Sequence, residues 1–201
     1  MNSSPAPAPP VVVAISGASG AIYGIEALKL LGELAIPVHL VISELGAQTI
    51  SIETDYALDD VRALADVVHS NKDLTASIAS GSFATRGMLV APCSIKTLSG
   101  IASSFSMNLL VRAADVTLKE RRPLVLMVRE TPFHTGHLRL MSHAARAGAH
   151  IMPPVPAFYT RPESVSDIVR HSVGRALDLM GVEHELVDRW MGDPRTTDVS
   201  C

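Results

Sequence analysis

The chain is short of aromatic residues, of cysteine and of long apolar runs, and each shortage excludes a class of protein. Phe, Trp and Tyr make up only 4% of its 201 residues, although 47% are hydrophobic. The interior must therefore be aliphatic, as in a parallel sheet covered by helices on both faces. Two cysteines, Cys93 and Cys201, cannot make a disulfide framework; Cys93 follows a strand-like run and Cys201 is the last residue, a pattern that fits a reducing compartment. No apolar stretch approaches the roughly 18 residues of a membrane span, and the N-terminus shows no basic-then-apolar leader. The net charge of −3, with no basic block, argues against nucleic acid as a partner. The eight histidines form no H-x-x-x-H or H-E-x-x-H pattern. His134 and His137 are three apart without a supporting Cys or carboxylate, so no metal is expected. A cytoplasmic, soluble protein of one domain follows.

What is present reads as alternating strands and helices. Residues 1–10 are a Ser/Ala/Pro tail with little to bury, expected to be disordered, and 193–201 are a short polar tail; the domain is expected over 11–192. Val11 to Ile15 is a β-branched run ending at Ser16-Gly17, and Ile22, Ile25, Leu28 and Leu31 then recur on one helix face. Pro37 leads into a second strand over 38–42, which completes a βαβ unit with a right-handed crossover. Residues 44–66 read as helix broken near Thr54-Asp55, and 70–85 as loop with a short strand at most. A third strand over 88–92 is expected to stop at Pro92. Helices follow over 97–102 and 108–118, then a fourth strand over 124–128. A helix over 137–147 ends at Gly148, and a fifth strand is expected at Ile151-Met152. Ser164 caps a last helix through Met180. The fold class is α/β: a single-domain, doubly wound parallel sheet of flavodoxin-like or Rossmann type, whose ligands sit at the strand C-terminal ends.

Four constellations lie at those ends. Gly17-Ala18-Ser19-Gly20, between the first strand and helix, can bring backbone N–H groups and a positive dipole end to an anion. It is neither G-x-G-x-x-G nor a Lys-bearing P-loop, and a tight turn without a ligand is the alternative. After the second strand, Ser43 is a neutral donor and Glu44 could contact a ribose. The run Pro92 to Gly100 again places hydroxyls and Lys96 past a strand, where Ser94 or Ser99 could simply cap a helix. Cys93 there reads as a core cysteine rather than a nucleophile, having no adjacent histidine. Arg112, Lys119, Arg121, Arg122, Arg129 and Glu130 form a charged set, of which Arg121 and Arg122 could only complement a helix C-terminus. Tyr159 and Arg175 are suitable donors to a phosphate monoester.

Taken in order, these pieces resemble the UbiX/Pad1 family of flavin prenyltransferases. The matching stretches are GASGAIYG at 17–24, S-E at 43–44, SIETD at 51–55, ASGSF at 79–83 and PCSIKTLSGIA at 92–102. RAADVTLKERRPLVL at 112–126, RETPFHTGHLRLM at 129–141, PPVPAFYTRPES at 153–164 and D-R-W at 188–190 complete them. The resemblance implies trimers assembled usually into a dodecamer, with active sites at subunit boundaries. It implies transfer of a dimethylallyl group from dimethylallyl phosphate to N5 and C6 of reduced FMN without a metal. The prenylated FMN goes to a UbiD-type decarboxylase. Carried across, FMN is held by Gly17, Ala18, Ser19, Ser43, Ser94, Ile95, Lys96, Thr97 and Arg129. Arg112, Lys119, Glu130, Tyr159 and Arg175 grip the dimethylallyl phosphate, and Ser19, Glu53 and Glu130 are the catalytic set. Two alternatives are an FMN-dependent cysteine decarboxylase, which shares an Asn-Leu-Leu stretch (here Asn108 to Leu110), and a flavoprotein that only carries FMN. The first would leave Lys119, Glu130 and Tyr159 without a purpose; the second needs only one phosphate site.

Overall fold

A computed structural model describes residues 8–187 together with Arg189 and Trp190. The expectations for residues 1–7, Asp188, the 193–201 tail and Cys201 lie outside the described residues. Six parallel strands form one sheet: β1 (Val11–Ile15), β2 (Val38–Ile42), β3 (Val67–His69), β4 (Gly87–Cys93), β5 (Leu124–Val128) and β6 (His150–Ile151). Their order is β3-β2-β1-β4-β5-β6, the Rossmann order. Without the three-residue edge strand β3, the remainder runs 2-1-3-4-5, the flavodoxin-like order. The switch point lies between β1 and β4 in either description.

Both faces of the sheet are covered. Val11, Val13 and Ile15 face a layer made by α1 (Ala21–Glu33), α2 (Glu44–Glu53), α3 (Leu58–Ala63) and α7 (Val165–Leu179). Val12 and Ala14 face α4 (Ile95–Ala102), α5 (Leu109–Lys119) and α6 (Thr135–Arg146). Every β1 residue is buried, which explains an unbroken β-branched run instead of an alternating one. Gly24 lets α1 lie directly on the sheet: a Cβ there would come 2.3 Å from the Ala91 carbonyl oxygen.

Several boundaries differ from the sequence reading for identifiable reasons. Pro10 is buried, and its carbonyl accepts from the Arg86 N–H, so order begins before β1. β3 has no sequence signature because two of its three residues are exposed and it is anchored only by pairing with β2. Pro92 does not end β4. The missing N–H shifts the register between Val90 and Cys93, and pairing resumes at Cys93 with Val128. The helix expected at 97 begins at Ile95, because Ser94 caps it, and α6 begins at Thr135 behind His134. The last strand lies one residue earlier than expected. Ser164 does start α7, in a capping box with Asp167.

The β2–β3 edge holds a histidine pair. His39 Nδ1 and His69 Nε2 are 2.9 Å apart, and Phe83 packs on the His39 ring. Burial lowers the pKa of both; the charge of His69 lowers His39 further, while Asp66 and Asp73 partly counter the shifts at His39 and His69 respectively. With folded values below the unfolded value of about 6.5, the unfolded chain binds more protons between the two. This contribution to stability is complete above the unfolded value and is lost as pH falls through the folded ones. The urea midpoint should therefore fall between about pH 7.5 and about pH 5, and His69→Gln should flatten that slope. Equal slopes in the two proteins would remove the histidine pair from the account.

Candidate active site

The C-terminal ends of β1 and β4 are joined by the Ser16 N–H, which donates to the Pro92 carbonyl at 3.3 Å, and by the Ser16 hydroxyl. Ser16, fully buried, donates from Oγ to the Pro92 carbonyl at 2.8 Å and accepts the Ser94 N–H at 2.8 Å. This bond sets the turn after β1 beside the start of α4. Next to it opens a cavity of about 360 Å³ whose lining includes Gly17, Ser43, Ser94, Lys96, Thr97 and Asn108. Ser43, Ser94 and Asn108 are the N-caps of α2, α4 and α5. Their side chains accept from Gly46 N (3.0 Å), Thr97 N (3.2 Å) and Val111 N (3.0 Å). Three helix N-termini thus converge on one cavity; Asn71 and Asn108 take the first three N–H groups of α5, whereas the first two N–H groups of α2 and α4 have no partner inside their helices. Lys96 stands in the first turn of α4, where a cation opposes the helix dipole. That placement suits an anion between them.

The start of α1 is used differently from the sequence expectation. Its first N–H groups are not open to an anion, because Glu53 already takes them. The carboxylate accepts from Gly20 N at 2.7 Å and Ala21 N at 3.2 Å, and it also bonds the Ser19 side chain. Gly20 makes this approach possible with φ of +99°, in the region that favours glycine. Burial raises the Glu53 pKa, but the Ser19, Gly20 and Ala21 bonds and the charge of Arg129 outweigh it and leave the pKa below the ordinary carboxylate value. Arg129 follows β5, where its N–H bonds the Cys93 carbonyl, and its charge also acts on the half-buried Tyr23. Ser19 and Glu53 are therefore bonded, and Arg129 lies near enough for its charge to act on Glu53.

The remaining sequence candidates are dispersed in the single chain. Arg112 bonds the Ala79 carbonyl through Nε and pairs with Asp115; Lys119 pairs with Glu120. Glu130 is at the β5 end and accepts the Thr131 N–H at 3.0 Å. Tyr159 contacts His171 and Trp190, while Arg175 pairs with Asp178. Arg112 and Lys119 ride on α5, and Arg175 on α7, which cover opposite faces of the sheet. Among the described residues, no hydrogen bond or ion pair joins the two groups. Arg122 does not serve its own helix terminus; its guanidinium donates to the Gly81 and Phe83 carbonyls and pins that loop. Cys93 is wholly buried, and burial pushes its thiol pKa far up, which leaves it a core residue.

Among the lining residues to which the sequence reading gave no role at the site are Asn71 and Asn108. Asn71 lies in the segment read as loop, yet it accepts from the Leu109 and Leu110 N–H groups and so closes the start of α5. A bond spanning 39 residues leaves no local signal. Asn108 was visible only as part of an Asn-Leu-Leu stretch, although an Asn before an apolar helical run is itself a cap signal. Among the described residues, no helix is long and apolar enough to cross a membrane, and no group of three or more His, Cys, Asp or Glu is placed to hold a metal.

The sequence model of the Flavoprotein family matches residues 2–176. Flavin prenyltransferase UbiX of Escherichia coli (strain K12) is 58% identical over 185 residues, covering 90% of this chain and 98% of that protein. This chain belongs to the UbiX/Pad1 family of flavin prenyltransferases. The UbiX likeness extends to structure. A crystal structure of AnUbiX (PadA1) in complex with FMN and dimethylallyl pyrophosphate superposes with a TM-score of 0.90 at 50% identity, covering 92% of this chain and 98% of that one. The dodecameric FMN-dependent UbiX-like decarboxylase from Escherichia coli O157:H7 gives 0.88 at 49%, covering 90% and 99%. The GASGAIYG turn of this UbiX-family chain therefore splits its work: Gly17 faces the cavity, while Ser19 and Gly20 meet Glu53. Glu53→Gln should lower stability by about 0.5–1 kcal/mol near neutral pH through loss of charge at the α1 N-terminus. The deficit should shrink on going down to about pH 3, as pH falls from the ordinary carboxylate value of about 4.3 toward the depressed folded one. Urea titrations at the two pH values check this; a deficit independent of pH would show that charge is not the cause.

Proposed function

We propose that this chain joins the dimethylallyl group of dimethylallyl phosphate to N5 and C6 of reduced FMN and passes the prenylated FMN to a UbiD-type decarboxylase, acting without a metal. The observation that carries the reading is the cavity at the β1–β4 switch point, ringed by three helix N-termini and Lys96 in a member of this family. α2 and α4 present partial positive charge together with open N–H groups, so with Lys96 the donor set suits the phosphate of FMN. Gly17, Ala18, Ser19, Ser43, Ser94, Ile95, Lys96, Thr97 and Arg129 make up the FMN set in this reading. FMN is a substrate here, and its reduced ring supplies the nucleophilic positions.

The transfer breaks the bond between prenyl C1 and the phosphate oxygen as N5 bonds C1, and the prenyl double bond is consumed as C6 bonds C3 and a proton is added at C2. Charge accumulates on the departing phosphate, and the protons displaced from the flavin need acceptors. Arg112, Lys119, Tyr159 and Arg175 are donors suited to that charge, and donors fixed in advance stabilise it without reorganising. Glu130, at the β5 end, is the proton acceptor beside them. Glu53, held ionised by Ser19 and the α1 backbone, orients the flavin side with Ser19. Because the α5 and α7 cations lie on opposite sheet faces, one complete set draws on more than one copy of the chain. Exposed Phe105, Met107, Val155, Phe158 and Val165 offer apolar surface for such an assembly. A dodecamer, as in the E. coli O157:H7 relative, is the form we assign. The absence of a disulfide framework in the sequence supports a cytoplasmic site of action.

A carrier that only stores FMN has no use for the second cation set. Anaerobic incubation with reduced FMN and dimethylallyl phosphate should raise the flavin mass by one prenyl unit. An unchanged flavin mass would overturn the prenyltransferase reading. Glu130→Gln should slow product formation by roughly 10²-fold, the scale of one lost acid–base group, while FMN titrates normally. Loss of FMN binding in that variant would move Glu130 to the flavin set.

A further inference from the structure

Near its C-terminal end, α7 carries an acid where the helix dipole disfavours one. Asp178 sits one residue before the last of Val165–Leu179, and no basic residue occupies that turn to offset it. Its pairing with Arg175 also runs against the favoured order, in which the acid precedes the base along the helix. An arrangement unfavourable to the helix points to a demand from outside it.

That demand is visible in what Asp178 holds. One carboxylate, its side chain only 13% exposed, receives Arg175 Nη1 and both terminal nitrogens of Arg189, at 2.8 and 3.4 Å for the latter. The wholly buried His184 lies against it, with Nε2 3.2 Å from Oδ1. His184 Nδ1 accepts the Leu186 N–H, so its hydrogen is on Nε2, which donates to the Gly174 carbonyl at 2.9 Å. Burial raises the Asp178 pKa, but the Arg189 and Arg175 bonds outweigh it and keep the carboxyl ionised. Arg189 leads directly to Trp190, whose ring stands 5.8 Å from that of Tyr159, nearly perpendicular. Tyr159 in turn meets His171 Nε2 through its hydroxyl at 3.2 Å, and His171 is one helical turn before Arg175. The contacts close a loop from Asp178 through Arg189, Trp190, Tyr159 and His171 back to α7.

We infer that Asp178 is a positioning residue for prenyl transfer: it fixes the Arg175 guanidinium and, through Arg189, seats the segment bearing Trp190 against Tyr159. The inference rests on the proposed role of Arg175 and Tyr159 at the departing phosphate. A free arginine side chain spends most of its time in other rotamers, and holding one in place removes that cost from substrate binding.

A double-mutant cycle tests this, with kcat, KM for dimethylallyl phosphate, FMN titration and thermal melting measured on the assembled enzyme. Asp178→Asn should raise KM about tenfold while kcat and FMN affinity change little, and in a background lacking both guanidinium groups (Arg175→Ala with Arg189→Ala) it should add less than about twofold. If Asp178→Asn does not fold, Asp178→Glu keeps the charge on a longer arm and carries the same cycle. An unchanged KM in a folded variant, or a full effect persisting without Arg175 and Arg189, overturns the inference. Wild-type enzyme that transfers no prenyl group would instead overturn the reading on which it rests.

Discussion

The hydroxyl of Ser16 holds the site together. It is buried at the point where the strand order reverses, and it bonds the Pro92 carbonyl and the Ser94 N–H at once. The Pro92 carbonyl also accepts the Ser16 N–H at 3.3 Å, whereas the Ser94 N–H lies past the end of β4 and is served by the hydroxyl. An unpaired buried polar group costs on the order of 1–3 kcal/mol, so this bond is under strong selection by energy alone. Its consequence is positional. The turn after β1 and the first turn of α4 lie side by side, and the cavity opens where they meet.

Around that cavity, charge is arranged by helix ends more than by side chains. α2, α4 and α5 direct their N-termini inward, and Lys96 adds a full charge to their partial ones. Backbone N–H groups do not move, so such a site is organised before an anion arrives. α1 has the same resource but gives it to Glu53, whose carboxylate neutralises that end and couples it to Ser19 and Arg129. The result is two adjoining environments, one poor in negative charge and one built around an ionised acid. A phosphate and the reacting edge of a flavin need that division.

The cations proposed for the prenyl phosphate follow another logic. Arg112, Lys119 and Arg175 each keep a carboxylate within a turn on the same element or just beyond its end: Asp115, Glu120 and Asp178. Pairs like these contribute little to stability where exposed. They do restrain long side chains and temper the local positive charge. In the proposed reaction a departing phosphate then meets donors already in place.

Much of this was legible in the residues themselves. Val11 to Ile15 and Leu124 to Val128 could only be buried strands, because unbroken β-branched and aliphatic runs have no other stable place. Ser164, Ser94 and the turn at Thr54 marked helix ends by chemistry that acts within four residues. The glycine-rich turn identified the address of the site, and the family resemblance named its chemistry. What the sequence could not carry was anything settled across distance. β3 exists because β2 offers it partners, Asn71 matters because α5 begins beside it, and Glu53 rather than a ligand occupies the end of α1 because a break after α2 brings it there. Local propensity determines which segments are strands and helices. Only packing decides which of their ends meet, and a polar group's role depends on the partner it meets there.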